Sequence, residues 1–166
     1  ADLIAAGEVV ERPASVVTEL VANAIDAGAS SVTVEIQRGG MSMIRVADNG
    51  CGIPWNQCQT AFLRHDTSTL RNAEDLAAIG TLGFRGEALA AISAVSRLEL
   101  FTRTQGEDLG TALSMEGGQV TAKEQAGCPL GTTLVVRDLF FNTPARLKFM
   151  KRDAAEGAAV FALVQK

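Results

Sequence analysis

No stretch of this 166-residue chain reaches the run of about 18 apolar side chains that a membrane-crossing helix needs, so no such span is expected. The opening Ala1-Asp-Leu-Ile-Ala-Ala-Gly-Glu8 lacks the basic region and apolar run of a secretory signal. It also lacks an initiator Met, and a trimmed chain is expected. Cysteine is scarce. Cys51, Cys58 and Cys128 are odd in number and form no C-x-x-C pair, which argues against a disulfide framework or a zinc site and for small hydrophobes in a reducing cytoplasm. Positive charge is in deficit, with 15 basic against 19 acidic residues and a net charge of −4. That is the wrong sign for a stand-alone nucleic-acid binder, so any DNA contact is expected to be local or shared with other parts. The Walker pattern G-x-x-x-x-G-K-[ST] is absent, which excludes a P-loop.

What is present suits one globular domain, since 47% of the residues are hydrophobic. Residues 3 to 10 read as a short helix. Pro13 opens a second one, where its missing N–H is harmless, and Gly28 ends it. Val32, Val34 and Ile36 alternate with Thr33, Glu35 and Gln37, the period of a half-buried strand. Gly39-Gly40 reverses the chain, and Ile44, Val46 and Asp48 share one face of the returning strand. Pro54 and Trp55 open a helix to about Leu63, His65 to Thr69 form a loop, and residues 73 to 79 form another short helix. A glycine-rich stretch, Gly80 to Gly86, is free to bend closely around something before a helix over 87–94. Strands follow near 97–104, 109–116, 119–125 and 132–138, then a turn from Phe140 to Pro144 and one or two helices from Ala145. This order predicts an α+β fold, a two-layer α/β sandwich with a mixed, mainly antiparallel sheet and helices on one face. Arg137, Arg146, Lys148, Lys151 and Arg152 face Asp138 alone near the C-terminus, a patch whose default reading is a solvated face.

The helix after Pro13 carries the first chemistry. Helical periodicity puts Glu19, Asn23 and Asp26 within an arc of roughly 60°, while Val17, Leu20, Val21, Ala24 and Ile25 fill the rest of the circumference. A polar stripe on a mostly buried helix must face water, a metal or a ligand. Asn23 offers a neutral oxygen for Mg²⁺, and Glu19 one turn earlier could orient or deprotonate a water attacking a terminal phosphate. In Asp48-Asn-Gly50-Cys-Gly52 the glycines let backbone approach a flat ligand, and Asp48 can accept from an amino group such as adenine's; an ordinary Asp-Asn-Gly turn is the alternative. Gly83-Phe-Arg-Gly86 supplies backbone N–H groups and the positive end of a helix dipole, a seat for phosphate or a plain glycine turn.

Together the pieces resemble a known pattern. Glu19…Asn23, Asp48-x-Gly50-x-Gly52, Gly83-Phe-Arg-Gly86-Glu87-Ala-Leu and Gly131-Thr-Thr133 resemble the four motifs of the gyrase, heat-shock chaperone, histidine kinase and MutL ATPase superfamily, the Bergerat-type ATP-binding fold. Within it, Ile4-Ala-Ala-Gly-Glu-Val-Val-Glu-Arg-Pro13, Gly83-Phe-Arg-Gly-Glu-Ala-Leu89 and Phe141-Asn-Thr-Pro-Ala-Arg146 look like the MutL family of DNA mismatch-repair ATPases, over nearly the whole chain.

The resemblance implies ATP and Mg²⁺ as cofactors and assigns roles by position. Glu19 is expected as the general base, Asn23 as the Mg²⁺ ligand and Asp48 as the adenine contact, supported by Thr133. Gly50 and Gly52, with Ile53, are expected to form the adenine-side wall, and Asp26 to anchor the site. Thr67 and Ser68, with Leu82, Gly83, Phe84, Arg85, Gly86 and Glu87, are expected in a mobile lid over the phosphates; Arg85 either contacts phosphate or holds the lid. His65, the one histidine, has no serine–acid partner pattern and reads as a lid or packing residue. The family usually carries Ala-Thr-Ser-Lys after this histidine, whereas Asp66-Thr67-Ser68-Thr69 stands here, so a cation near the phosphates is exchanged for an anion.

The resemblance further implies a switch ATPase in which ATP closes the lid and drives N-terminal homodimerisation. Its expected partners are a mismatch-recognition protein of MutS type, a strand-processing nuclease and helicase, and DNA through the dimer and a further domain. The expected location is cytoplasmic and nucleoid-associated. Residues 1–166 are expected to be a single ATP-binding domain, without the second domain that supplies a lysine to the terminal phosphate and without the C-terminal dimerisation region. Hydrolysis by the chain alone is therefore expected to be very slow. A non-catalytic ATP-sensing module, or another ATPase of the superfamily, is the alternative.

Overall fold

The computed structural model describes residues 12–62 and 81–152, with the backbone alone for 81–87 and 150–152. The helices expected at 3–10 and 73–79, the loop at 65–69 and the chain beyond 152 lie outside the described residues. Helix α1 spans Pro13–Asp26, with Pro13 at its first position after an extended Arg12. It ends in a Schellman cap: Gly28, at φ +79°, donates to Ile25 O at 3.0 Å, and Ala29 N–H reaches Ala24 O at 3.1 Å. The buried stripe of α1 is Pro13, Val16, Val17, Leu20, Asn23 and Ala24. Ile25, expected inside, is 64% exposed, because the stripe is narrower than a mostly buried helix requires.

A hairpin follows, β1 (Val32–Gln37) and β2 (Met43–Asp48), turning through a single 3₁₀ turn at Arg38–Gly40. Strands β3 (Arg97–Arg103), β4 (Gly110–Glu116), β5 (Gln119–Ala126) and β6 (Gly131–Arg137) come later, within a residue or two of expectation. The six form one sheet in the order β1-β2-β6-β3-β4-β5, antiparallel at every pairing among the described residues. Helix α2 (Thr81–Ala94) lies between β2 and β3 in sequence, and α3 (Pro144–Arg152) follows β6.

Strand alternation sorts the sheet into two faces. Ile44, Val46, Leu98, Leu100, Leu113, Leu134 and Val136 are buried in one cluster with Val16, Val17 and Leu20 of α1 and Leu89 and Ile92 of α2. Each such side chain contributes about 1.5–3 kcal/mol by leaving water. The opposite face carries exposed pairs such as Arg45–Glu35 (3.1 Å) and Arg137–Glu99 (3.4 Å), which contribute little. The result is the expected two-layer α+β sandwich. Among the described residues, no helix is long and apolar enough to cross a membrane.

Two local expectations are corrected. Among the described residues of the helix expected from Pro54 to about Leu63, 54–62 form two separate 3₁₀ turns, Trp55–Gln57 and Thr60–Phe62, and not one helix. Glu107 Oε2 caps the Trp55 N–H at 3.1 Å, and the Trp55 carbonyl is shared between the Cys58 N–H at 3.5 Å and Lys123 Nζ at 3.0 Å. Residues 81–86, expected as a glycine-rich bend ahead of a helix, are already helical. Each glycine there disfavours the helix by about 1 kcal/mol. Burial of Leu89, Ala91 and Ile92 further along α2 holds the helix against that preference.

Candidate nucleotide site

The C-terminal end of α1 and the loop after β2 are tied together by short polar contacts. Asn49 Oδ1 accepts the Ser30 and Ser31 N–H groups at 2.8 and 2.9 Å, and its Nδ2 donates to Ser30 Oγ at 2.8 Å. Cys51 N–H donates to Ala27 O at 3.0 Å, one of the carbonyls a helix end leaves free. Ala27 also explains Gly50, since a Cβ there would lie 2.9 Å from both Ala27 Cβ and Ala27 O. Whatever fixes α1 therefore fixes the Asp48 loop.

Asp48 ends β2 on the helix-facing side, as the alternation with Ile44 and Val46 requires. Its Oδ1 accepts the Gly50 N–H at 2.8 Å. Burial pushes the Asp48 carboxyl above its usual range, partly offset by hydrogen bonds from the Gly50 and Thr132 backbones. Across the site, Asn23 is 5% exposed, and among the described residues neither its Oδ1 nor its Nδ2 has a hydrogen-bond partner. An orphaned buried amide is unfavourable by about 1–3 kcal/mol, which points to an external partner.

These two polar groups open into one cleft. Leu20 and Asn23 line it from α1, Asp48 from β2, Gly52 and Ile53 from the loop, and Thr132 from β6, over a floor that includes Leu100 and Leu134. An apolar slot with a few convergent polar groups is the usual form of a small-molecule site. A carboxylate beside a flat apolar slot fits a ring bearing an amino group, and the unpaired Asn23 oxygen fits a hard cation such as Mg²⁺.

Of the residues singled out in the sequence, Asn23, Asp48, Gly52 and Ile53 meet in this pocket. Glu19, half-buried, lies one turn before Asn23 on α1, and Asp26 is exposed on its last turn; neither lines the pocket. The choice of Thr133 is corrected. Register pairs Thr133 with Ala47, whereas Thr132 pairs with Asp48 and lines the pocket. The same alternation that places Leu134 and Val136 in the core would have identified Thr132. Packing adds a second reason for glycine at two positions. Gly52, at φ +75°, is required because a Cβ would collide with the Arg103 carbonyl, and Gly131 because one would collide with the Asp48 carbonyl. Both protect approaches of protein to protein. Leu82 to Glu87 lie in the first turns described for α2, and Thr67 and Ser68 lie outside the described residues. Thr102, behind Thr132, was not singled out at all.

A sheet covered on one face by helices, with an Asn on the first helix and an Asp at a strand end sharing a pocket, defines a class of nucleotide-binding ATPase folds. The sequence profile described as "Histidine kinase-, DNA gyrase B-, and HSP90-like ATPase" matches residues 11–129, and the chain belongs to that family. Within it the similarity is to MutL-type N-terminal ATPase domains. The DNA mismatch repair protein MutL of Agathobacter rectalis is 56% identical over 165 residues, covering 99% of this chain and 26% of that protein. The chain thus spans about a quarter of the length of such relatives. The solved structure of the Aquifex aeolicus MutL ATPase domain complexed with ADP superposes with a TM-score of 0.71 at 37% identity, over 95% of this chain and 55% of that one. The N-terminal domain of a DNA repair protein superposes with a TM-score of 0.80 at 32% identity, over 99% of this chain and 48% of that one.

Proposed function

We propose that the chain is the ATP-binding and ATP-hydrolysing unit of a MutL-type mismatch-repair protein. The observation that carries this reading is the buried amide of Asn23, unpartnered among the described residues, in one pocket with the Asp48 carboxylate. In this reading Asp48 accepts the adenine amine and Ile53 and Gly52 wall the ring. Asn23 Oδ1 would hold Mg²⁺, which when bound supplies positive charge against the negative charge of the phosphates. Glu19, one helical turn from Asn23, orients and deprotonates the attacking water. Asp26 anchors the end of α1. Thr67 and Ser68, with the segment Leu82 to Glu87, form the lid over the phosphates, in which Arg85 holds the closed form. The same-family structure with ADP bound supports the nucleotide part of the reading.

The mismatch-repair name carried by the relatives supports a wider role. ATP binding closes the lid and dimerises the N-terminal regions of the whole protein, passing a signal from a MutS-type mismatch-recognition protein to a strand-processing nuclease and helicase on DNA, in the cytoplasm at the nucleoid. The chain acts there as one ATP-binding domain of a longer protein, and hydrolysis by it alone is very slow. The test is phosphate release by the full-length protein. Glu19→Gln should retain nucleotide binding and lose turnover by about 100-fold or more, the scale of a general-base loss. Unchanged turnover in that variant would remove Glu19 from its role.

A further inference from the structure

Thr102 is fully buried on a strand whose other helix-facing residues are Leu98 and Leu100. Its hydroxyl sits among three hydrogen-bonding groups. The Ile53 N–H donates to Thr102 Oγ1 at 2.8 Å, Thr102 Oγ1 donates to the Gly131 carbonyl at 3.0 Å, and Thr132 Oγ1 lies 2.9 Å away. A hydroxyl has one proton and two lone pairs. With the proton given to Gly131 and one lone pair taken by Ile53, what remains toward Thr132 is a lone pair, so Thr132 is the donor of that pair. Its single proton is then directed away from the pocket. Thr132 stands in register with Asp48, and both line the cleft. The polar end of the cleft therefore presents carboxylate and hydroxyl lone pairs side by side, with the Thr132 proton turned away.

We infer that Thr102 is a positioning residue for base selection: by holding Thr132 as an acceptor toward the pocket, it favours a ring edge bearing an amino group over one bearing a carbonyl. The inference rests on the proposed nucleotide reading of the site. A purine with a carbonyl at that edge would bury an acceptor against two others, and a missing partner in such a site is what sets discrimination. Thr102→Val frees the Thr132 hydroxyl to turn its proton into the cleft, where it can meet a carbonyl.

The experiment is calorimetric titration of the protein with non-hydrolysable ATP and GTP analogues in the presence of Mg²⁺, for wild type, Thr102→Val, Thr102→Ser and Thr132→Val. Wild type should prefer the ATP analogue. Thr102→Val should narrow that preference by about tenfold, the scale of one hydrogen bond, and Thr102→Ser should restore it. A purely structural role would lower the melting temperature and leave the ratio unmoved. Should Thr102→Val fail to fold, Thr132→Val removes the oriented acceptor directly and should narrow the preference too, by less because it supplies no donor to a carbonyl. An unchanged ratio in the folded variants, with ATP-analogue binding intact, overturns this inference alone. Wild type binding neither analogue overturns the nucleotide reading as well.

Discussion

The Gly50 N–H donates to Asp48 Oδ1 across 2.8 Å, so the carboxylate that closes β2 is aimed by the loop that leaves it. Burial still dominates, and the Asp48 carboxyl is raised above 3.8. Stability and ligand binding should then respond to acid in opposite directions. A carboxyl with a raised folded value binds its proton more tightly in the folded protein. Its stabilising contribution is full below the unfolded value of 3.8 and is lost as pH rises through the higher folded value. The ionised form is the stronger acceptor for an amine and offers it no competing proton. On acidification through that window, nucleotide affinity should fall by up to about tenfold per pH unit. Over the same window the melting temperature of wild type should gain on that of Asp48→Asn. Thermal melts and titrations across the window check both signs, and an affinity rising toward acid would contradict the role of Asp48.

Asn23 stands against the stability of the ligand-free protein. Replacing an orphaned buried amide by an apolar side chain of the same shape is neutral or stabilising. Asn23→Leu should therefore melt no lower than wild type, and up to about 1–2 kcal/mol more stably, while losing Mg²⁺-dependent nucleotide binding. Denaturant unfolding and titration measure the two effects, and a large loss of stability would show that Asn23 has a structural partner.

Much of this site was legible in the sequence because a few side chains obey simple periods. The alternation of Ile44, Val46 and Asp48 delivers the carboxylate to the core edge, and the helical spacing of Leu20, Asn23 and Ala24 brings the amide to the same place. Thr133 was mistaken for Thr132 because the motif was read as a string and not by strand parity. The 3₁₀ turns at 54–62 were not legible because helical pattern is local, whereas Glu107 and Lys123 bind the backbone of Trp55 from a distant part of the chain. The glycine positions were legible, but not their packing cause. Only the fold brings Arg103 against Gly52 and the Asp48 carbonyl against Gly131.

That cause can be tested at Gly52. A Cβ there would strike the Arg103 carbonyl at a backbone φ of +75°. Gly52→Ala should destabilise by about 1–3 kcal/mol or more. At Gly106 nothing lies within 4 Å of an added Cβ, so Gly106→Ala should be neutral or stabilising by up to about 1 kcal/mol. Urea midpoints give both values, and equal effects at the two positions would disprove the packing argument.

Asn142, in the Phe141 to Arg146 motif, donates to Ala94 O at 2.9 Å and so holds the C-terminal end of α2. Asn142→Ala should destabilise by about 1 kcal/mol. Asn142→Asp should be worse, because it sets a carboxylate against the carbonyl end of a helix. Melting temperatures in that order are expected, and an Asp variant more stable than the Ala variant would refute the contact's role.

The most direct measurement is calorimetric titration of a non-hydrolysable ATP analogue with Mg²⁺ into this chain, beside Asp48→Asn. The account expects saturable binding that Asp48→Asn abolishes while its circular dichroism stays that of the folded protein. Binding of equal strength to both would contradict the pocket built from Asn23 and Asp48, and so would no binding to folded wild type.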